Sequence, residues 1–136
     1  MLLTGLPDEH EVIEEVLSEM ARPAENMCGR LSLRGLAGLL SRCSLVVAND
    51  TGPLHLAAAM GTATVGVYWC GNFVNGGPMT RARNRSAISW RVHCPDCGAD
   101  CLRGGCEHRS SFTAEIRVDE VLEPALSLLS ARASSH

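Results

Sequence analysis

The sequence predicts an α/β domain in which helices flank a parallel sheet. Two apolar runs, CSLVVAN at 43–49 and TATVGVYW at 62–69, have the continuous hydrophobic character of strands buried on both faces. Helical patterns alternate with these runs over short connections, which is typical of right-handed crossovers in a doubly wound sheet. With 136 residues and 46% hydrophobic composition the chain suits one domain, so we expect residues 1–136 to form a single domain.

The first half of the chain is predicted to follow the order β-α-(β)-α before the first buried strand. A short apolar start precedes a helix that Asp8 caps, with Glu11 as the reciprocal partner of the capping box. Pro23 ends this helix, and Ser32 caps the next one. The apolar residues of the first helix repeat at helical spacing: Val12, Ile13, Val16, Leu17 and Met20.

The second half contains a third helix, a long irregular segment and a final helix. The third helix runs from about Pro53 to Met60. From Cys70 to Ser111 the alternation stops, and we expect an irregular Cys-rich segment in which only SAISW forms a strand. The last helix is capped near Asp119, and residues 131–136 form a polar tail that we expect to fray. Its apolar residues are Val118, Val121, Leu122, Ala125 and Leu129.

Charge and hydropathy exclude several classes of function. The net charge is −3 and the isoelectric point is about 5.9, so the basic footprint of a nucleic-acid-binding domain is missing. The start of the chain has no basic region followed by an apolar one, and no run is long enough to span a bilayer. We therefore expect a cytoplasmic protein with no nucleic-acid partner and no transmembrane segment.

The turn between the first buried strand and the third helix combines residues that suit a phosphorylated ligand. It follows the carboxyl end of a strand and opens a helix, where free N–H groups and the helix dipole favour anions. Gly52 allows a phosphate to approach the backbone, and Thr51 can cap the helix or donate its hydroxyl. His55 can donate to a phosphate oxygen, and Asp50 can accept from sugar hydroxyls. The alternative is an ordinary capped helix start; neither a Walker loop nor a GxGxxG fingerprint is present.

Five soft ligands crowd into the segment HCPDCGADCLRGGCEH. Two thiolates of a Cys-x-x-Cys pair reach one ion from a single turn, and two of the three other candidates would complete a structural zinc site. Free thiols, an iron–sulfur cluster and a redox role are the alternatives that the sequence leaves open. The candidate metal ligands are Cys94, Cys97, Cys101, Cys106 and His108.

The stretch LVVANDTGPLHLAAAMGTATVGVYW resembles the Asp-Ser/Thr-Gly-x-x-His-x-Ala-Ala motif of the ADP-heptose:lipopolysaccharide heptosyltransferase family, glycosyltransferase family 9. The start LTGLPDEHE, the helix LSLRGLAGLLSRC and the closing IRVDEVLEPAL occur in the same order in that family. The resemblance implies a Rossmann-like fold and the C-terminal, donor-binding half of an inverting enzyme with two such domains, the GT-B arrangement. By position, Glu9 would hold the ribose hydroxyls and Leu31 would line the base pocket.

The same resemblance assigns the residues of the turn to the rest of the donor. Thr51, Gly52 and the N–H of Leu54 would cradle the diphosphate, with His55 at a phosphate and Asp50 on hydroxyls of the transferred sugar. Such a half stabilises the departing nucleoside diphosphate and supplies no nucleophile, so no catalytic residue is assigned and transfer requires no cofactor.

The resemblance also carries expectations about activity and partners. The acceptor-activating carboxylate belongs to the other domain of the family, so we expect these residues to be inactive alone and to require a separate N-terminal half or self-association. Donor sugar and acceptor, a lipopolysaccharide or a related glycan, stay open. The alternative function is a non-catalytic, metal-stapled α/β module that serves binding or interaction.

Overall fold

The computed structural model describes residues 1–133, and the chain divides into two compact units, Met1–Gly38 and a second unit that begins at Leu39. Helix α2 contains the boundary between them. The expectation of a single domain stays a prediction. Residues 134–136 of the predicted polar tail lie outside the described residues.

The first unit contains a small parallel sheet and a helix. Strand β1 (Leu2–Leu3) pairs in parallel with β2 (Glu25–Asn26), which follows helix α1 (His10–Glu19). Ile13 is the buried residue of α1. Helix α2 (Leu33–Arg42) follows, so the predicted order β-α-β-α is confirmed.

The start of α1 differs from the predicted capping box. Pro7 opens a single 3₁₀ turn, which places Leu6 at the cap position and Glu9 three residues later. The Leu6 N–H donates to a carboxylate oxygen of Glu9 at 2.6 Å. The expected pair of Asp8 and Glu11 is therefore wrong, because the chain turns earlier than the apolar periodicity alone indicates.

The predicted cap of α2 is confirmed. The Ser32 hydroxyl accepts a hydrogen bond from the Gly35 N–H at 3.2 Å, and the Ser32 carbonyl accepts one from the Leu36 N–H at 2.8 Å. These bonds satisfy donors that the first turn of a helix otherwise leaves without partners.

The second unit is a three-stranded parallel sheet in the order β3-β4-β5. Its elements are β3 (Leu45–Asn49), α3 (Gly52–Ala59), β4 (Ala63–Trp69), α4 (Cys70–Gly76), β5 (Asn84–Ser89) and α5 (Val118–Ala133). In the middle strand Val65 lies opposite Val47, and Val67 lies opposite Ala87. A parallel sheet flanked by helices is the fold class that the sequence predicts.

Helices cover both faces of β4. On one face, Ala63 and Val65 pack with Ala125 and Leu128 of α5. Side chains alternate along a strand, so Gly66 belongs to the other face, and a Cβ there would lie 2.6 Å from Leu54 of α3. Helix α3 therefore rests on the glycine of β4.

The predicted irregular segment 70–111 is wrong at its beginning. Residues Cys70–Gly76 form α4, although Gly and Asn are poor helix formers. Burial of Cys70 and an edge contact between Tyr68 and Phe73, with ring centroids 5.4 Å apart, accompany the helix. The predicted strand is present and longer, because β5 begins at Asn84.

The predicted apolar stripe of α5 is only partly buried. Ala125 and Leu128 lie in the core with Val121 packed against them, whereas Leu122 is 50% exposed and Val118 is 79% exposed. Apolar residues occupy so many positions of this helix that their spacing does not select one face. The helix also continues through residues 131–133, the start of the predicted tail.

Candidate functional site

The carboxyl ends of the three strands lie at one edge of the parallel sheet. Asn49, Trp69 and Ser89 end β3, β4 and β5, and the segments that follow them leave the sheet at this edge. Ligands of open α/β sheets bind beyond the carboxyl ends of strands. The segment Asp50–His55, called the donor turn below, therefore has the position that the sequence predicts.

A side-chain hydrogen bond joins the two ends of the donor turn. Asp50 Oδ1 lies 2.9 Å from His55 Nε2, and the side chains are 16% and 50% exposed, respectively. The Asp50 N–H also donates to the Val67 carbonyl at 3.0 Å, which fixes the backbone of Asp50 to β4. The turn thus presents a positioned carboxylate beside a half-exposed imidazole.

Thr51 and Gly52 form the start of α3. Thr51 occupies the cap position, but its hydroxyl donates to the Asn49 carbonyl at 3.2 Å instead of accepting from the helix. A Cβ built on Gly52 meets no atom within 4 Å. The space beside the Gly52 backbone is therefore open, as the approach of a ligand requires.

Leu54 has a structural contact in place of the predicted one. Its N–H donates to the Thr51 carbonyl at 3.0 Å, so the donor assigned to the diphosphate already has a partner. Its side chain is 1% exposed and packs over Gly66. A diphosphate would reach the Leu54 N–H only by sharing or replacing this bond, and that role stays a prediction.

Tyr68 is a residue beside the turn that sequence reasoning missed. It is 2% exposed, burial raises the pKa of its phenol, and the negative charge of Asp50 raises this pKa further. The phenol is therefore neutral at physiological pH. Its position near the end of β4 was the available signal, because that strand ends at the same edge as Asp50.

The two predicted nucleoside contacts belong to the first unit. Glu9 is exposed and accepts the Leu6 N–H described above. Leu31 is half-buried, and a Cβ on Gly35 would lie 3.6 Å from its side chain. The structure brings Asp50, Thr51 and His55 together in the second unit, and the roles of Glu9 and Leu31 stay predictions.

Two cavities lie in the second unit, the larger away from the donor turn and the smaller next to it. The larger, about 630 Å³, is lined at the amino ends of the strands by residues that include Ser44, Ala63 and Arg83. The smaller, about 440 Å³, lies between the β3–β4 face and α5, with Val47 and Val121 in its lining. Size alone favours the larger cavity as a ligand-binding site. The amino-terminal edge of the sheet, however, lacks the free N–H groups that the start of a following helix provides.

The segment between Arg91 and Phe112, called the cysteine loop below, forms a second cluster of chemical groups. The ligand atoms of Cys94, Cys97, Cys106 and His108 all lie within 4.8 Å of one another. Cys94 is buried and the other three residues are exposed. A hydrogen bond from the Cys97 backbone is the main cause that lowers the pKa of Cys94.

Cys101, the fifth candidate ligand, lies outside this group. Its thiol contacts the Ala99 carbonyl at 3.5 Å, and its N–H donates to the Val92 carbonyl at 2.9 Å. The sequence predicts that two of three further residues join the Cys-x-x-Cys pair, and the structure selects Cys106 and His108 for that position.

No helix within residues 1–133 is both long enough and apolar enough to cross a membrane.

Comparisons with known proteins agree with the predicted family and fold. The family model for glycosyltransferase family 9 (heptosyltransferase) matches residues 1–102. Lipooligosaccharide heptosyltransferase 2 of Campylobacter jejuni is 26% identical over 119 residues, covering 86% of this chain and 35% of that protein. Lipopolysaccharide core heptosyltransferase OpsX of Haemophilus influenzae is 33% identical over 60 residues, covering 44% of this chain and 17% of that protein.

A solved structure supports the fold independently. The crystal structure of the glycosyl transferase family 9 protein from Veillonella parvula aligns with a TM-score of 0.64 and 19% identity, covering 96% of this chain and 36% of that one. The chain spans about a third or less of the length of the two relatives named above. Because the family model extends over most of the sequence, this chain belongs to glycosyltransferase family 9, the heptosyltransferase family.

Proposed function

We propose that this chain is the donor-binding half of an inverting glycosyltransferase, and that the donor turn holds the diphosphate and the sugar of a nucleotide sugar. The observation that carries the proposal is the Asp50–His55 pair at the carboxyl edge of the sheet, 2.9 Å apart, beside the open backbone of Gly52. The names of the relatives favour a heptose donor and a lipopolysaccharide or related acceptor, and the resemblance described above favours ADP as the nucleotide.

The start of α3 suits the diphosphate. The first N–H groups of a helix have no partner within the helix, and the positive end of the dipole attracts anions. Gly52 has no side chain to obstruct a phosphate, and the space where its Cβ would lie is open. His55 is half-exposed one turn later, and because its Nε2 contacts Asp50, its Nδ1 is the atom that can donate to a phosphate oxygen when both ring nitrogens carry protons.

Asp50 suits the hydroxyls of the sugar. An ionised carboxylate has about four lone-pair sites, so the bond to His55 leaves acceptor capacity for hydroxyl donors. The backbone bond to Val67 and the contact with His55 hold the carboxylate in position before the donor arrives. Such preorganisation reduces the entropy that binding costs.

The chemistry of this half is stabilisation of a leaving group. When the glycosidic bond to the nucleoside diphosphate breaks, negative charge develops on the phosphate oxygens, and the donor turn places N–H groups and His55 near them. No residue here acts as a nucleophile, and no cofactor is required. The base that activates the acceptor lies outside this proposal. The cytoplasmic location and the need for a partner half, or for self-association, stay predictions.

Calorimetric titration tests the proposal with ADP and with ADP-heptose. We expect both to bind, and Gly52→Ala to weaken both by about tenfold or more because both carry the diphosphate, a loss of about 1.4 kcal/mol. Asp50→Asn should weaken ADP-heptose more than ADP, because only the former has the transferred sugar. Gly38→Ala is the matched control, since a Cβ there also meets nothing within 4 Å.

Equal losses in Gly38→Ala and Gly52→Ala would refute the assignment of the donor turn. Failure of the wild-type chain to bind any nucleotide would favour the alternative of a metal-stapled binding module. UDP and GDP serve as competitors that test the preference for adenine.

A further inference from the structure

We propose that Cys94, Cys97, Cys106 and His108 bind one zinc ion, which holds the cysteine loop in its folded shape. The family model ends at residue 102, before two of these four residues, so the proposal rests on the geometry of this chain. It is independent of nucleotide binding.

The first two ligands lie on a tight knuckle. The Gly98 N–H donates to the Cys94 carbonyl and the Cys94 N–H donates to the Ala99 carbonyl, both at 2.9 Å. Gly98 has a φ of +72°, a conformation that residues with a Cβ rarely adopt. The sequence Cys-Pro-Asp-Cys-Gly therefore forms a closed turn that directs two thiols toward one point.

The other two ligands return to the knuckle after a second turn. Gly105 has a φ of +77°, and its N–H reaches back to the Asp100 carbonyl at 3.4 Å. Tetrahedral zinc holds its thiolate and imidazole atoms about 3.4 to 3.8 Å from one another. The four ligand atoms already lie within 4.8 Å of one another, so a small contraction would complete the shell.

The cysteine loop has hydrogen bonds but almost no buried side chains to order it. Its ends are held, because the Trp69 indole donates to the Arg91 carbonyl at 2.7 Å and packs at a tilt beside Phe112, with ring centroids 5.2 Å apart. Between these ends, Cys94 is the one fully buried residue. A single β-bridge, between His93 and Asp100, is the regular backbone pairing there. A long loop without a core requires another source of folding energy, and a structural metal provides one.

The donor set selects the ion. Three thiolates and one imidazole in a closed tetrahedron are typical of structural zinc, which binds as the thiol protons leave. No disulfide joins the three cysteines of the cluster. Four protein ligands leave no open position for a substrate, so we assign the ion a structural role.

Metal analysis of the purified chain tests this proposal. We expect one zinc per chain, or stoichiometric uptake when zinc is added to metal-free protein. Cys97→Ser, Cys106→Ser and His108→Ala should lose the zinc, whereas the matched variants Cys101→Ser and His93→Ala should retain it. Bound iron with sulfide, or a Cys94–Cys97 disulfide found by mass spectrometry, would overturn the assignment, as would equal losses in Cys101→Ser and Cys97→Ser.

Hydrogen exchange of the wild-type chain provides a measurement that requires no variant. Removal of zinc with a chelator should speed exchange of the Cys94, Gly98 and Cys101 amides and leave that of Val65 in β4 unchanged. Return of zinc should restore the slow exchange. Exchange rates that do not respond to zinc at the knuckle would contradict the proposal.

Discussion

Leu54 links the donor turn to the hydrophobic interior of the second unit. Its side chain is 1% exposed and fills the space over Gly66, where a Cβ would lie 2.6 Å from Leu54 and 2.4 Å from the ring of Tyr68. The absence of a side chain at Gly66 thus lets α3 approach β4 closely. The position of the Asp50–His55 pair depends on this contact, because His55 lies in α3 and Asp50 directly precedes the start of that helix.

Gly66→Ala should destabilise the protein, since the added methyl group overlaps two buried side chains. Overpacking of this kind costs about 1 to 3 kcal/mol. Urea unfolding followed by circular dichroism measures the change, with Gly38→Ala as the control in open space. An unchanged unfolding midpoint for Gly66→Ala would mean that α3 and β4 are not packed as described.

In the donor turn, the positions of residues were predictable from the sequence, whereas some of their contacts were not. The position of Asp50, Thr51 and His55 at the junction of a strand and a helix was predictable because a strand, a polar turn and a helix start follow one another directly in the sequence. The bond between Leu54 N–H and Thr51, and the burial of Tyr68 near Asp50, were not predictable, because they depend on the final helix geometry and on a strand neighbour.

At the scale of elements, a polar junction ties the end of β5 to the chain that precedes α5. Glu115 accepts from the Ser89 hydroxyl at 2.6 Å and from Arg91 Nε at 2.9 Å. These contacts join the two ends of the cysteine loop, because Arg91 begins the loop and Glu115 follows its last residue. The hydrogen bond from Ser89 and then that from Arg91 lower the pKa of Glu115 below its ordinary value of 4.5.

This lowered pKa predicts an acid-sensitive contribution to stability. The folded state favours the ionised form, so the contribution is fully present above pH 4.5 and is lost as the pH falls through the lower folded pKa. Glu115→Gln should therefore reduce the drop in Tm between neutral pH and that acidic range. The control is Glu19→Gln on exposed α1, and an identical pH profile for wild type and Glu115→Gln would contradict the role of the junction.

The elements themselves were predictable where local pattern and tertiary packing agree. The two apolar runs predicted β3 and β4, and Ser32 as a capping residue predicted the start of α2. Helix α4 was missed because its glycines and asparagines disfavour helix and its packing comes from Phe73 against Tyr68. The buried face of α5 was predicted in part: Val121 and Ala125 lie against the core as expected, but Leu128 was missed because contact with the sheet, not periodicity, selects it.

At the scale of the whole molecule, the chain matches only part of each related protein. It covers 35% of the Campylobacter relative and 36% of the Veillonella structure. The proposed function assigns donor binding to these residues and leaves activation of the acceptor to residues outside the proposal. On this proposal, we expect donor affinity without transferase activity.

The isolated 136-residue chain should bind donor yet show no measurable transfer. The physical reason is that none of the assigned residues deprotonates an acceptor hydroxyl, and transferases of this type require that step. Mass-spectrometric detection of glycosylated lipopolysaccharide core after incubation with ADP-heptose measures the turnover. Transfer by the isolated chain, abolished by Asp50→Asn, would show that these residues include the catalytic base.

The most direct test of nucleotide binding at the donor turn is an amide chemical-shift titration of the isotopically labelled chain with ADP. We expect the largest saturable shifts at Thr51, Gly52 and His55, with small changes in the cysteine loop. Saturable shifts centred on Arg83 and Ala63 would instead place the nucleotide in the cavity at the amino-terminal edge of the sheet. That result, or the absence of shifts at the donor turn under saturating ADP, would contradict the assignment of nucleotide binding to this turn.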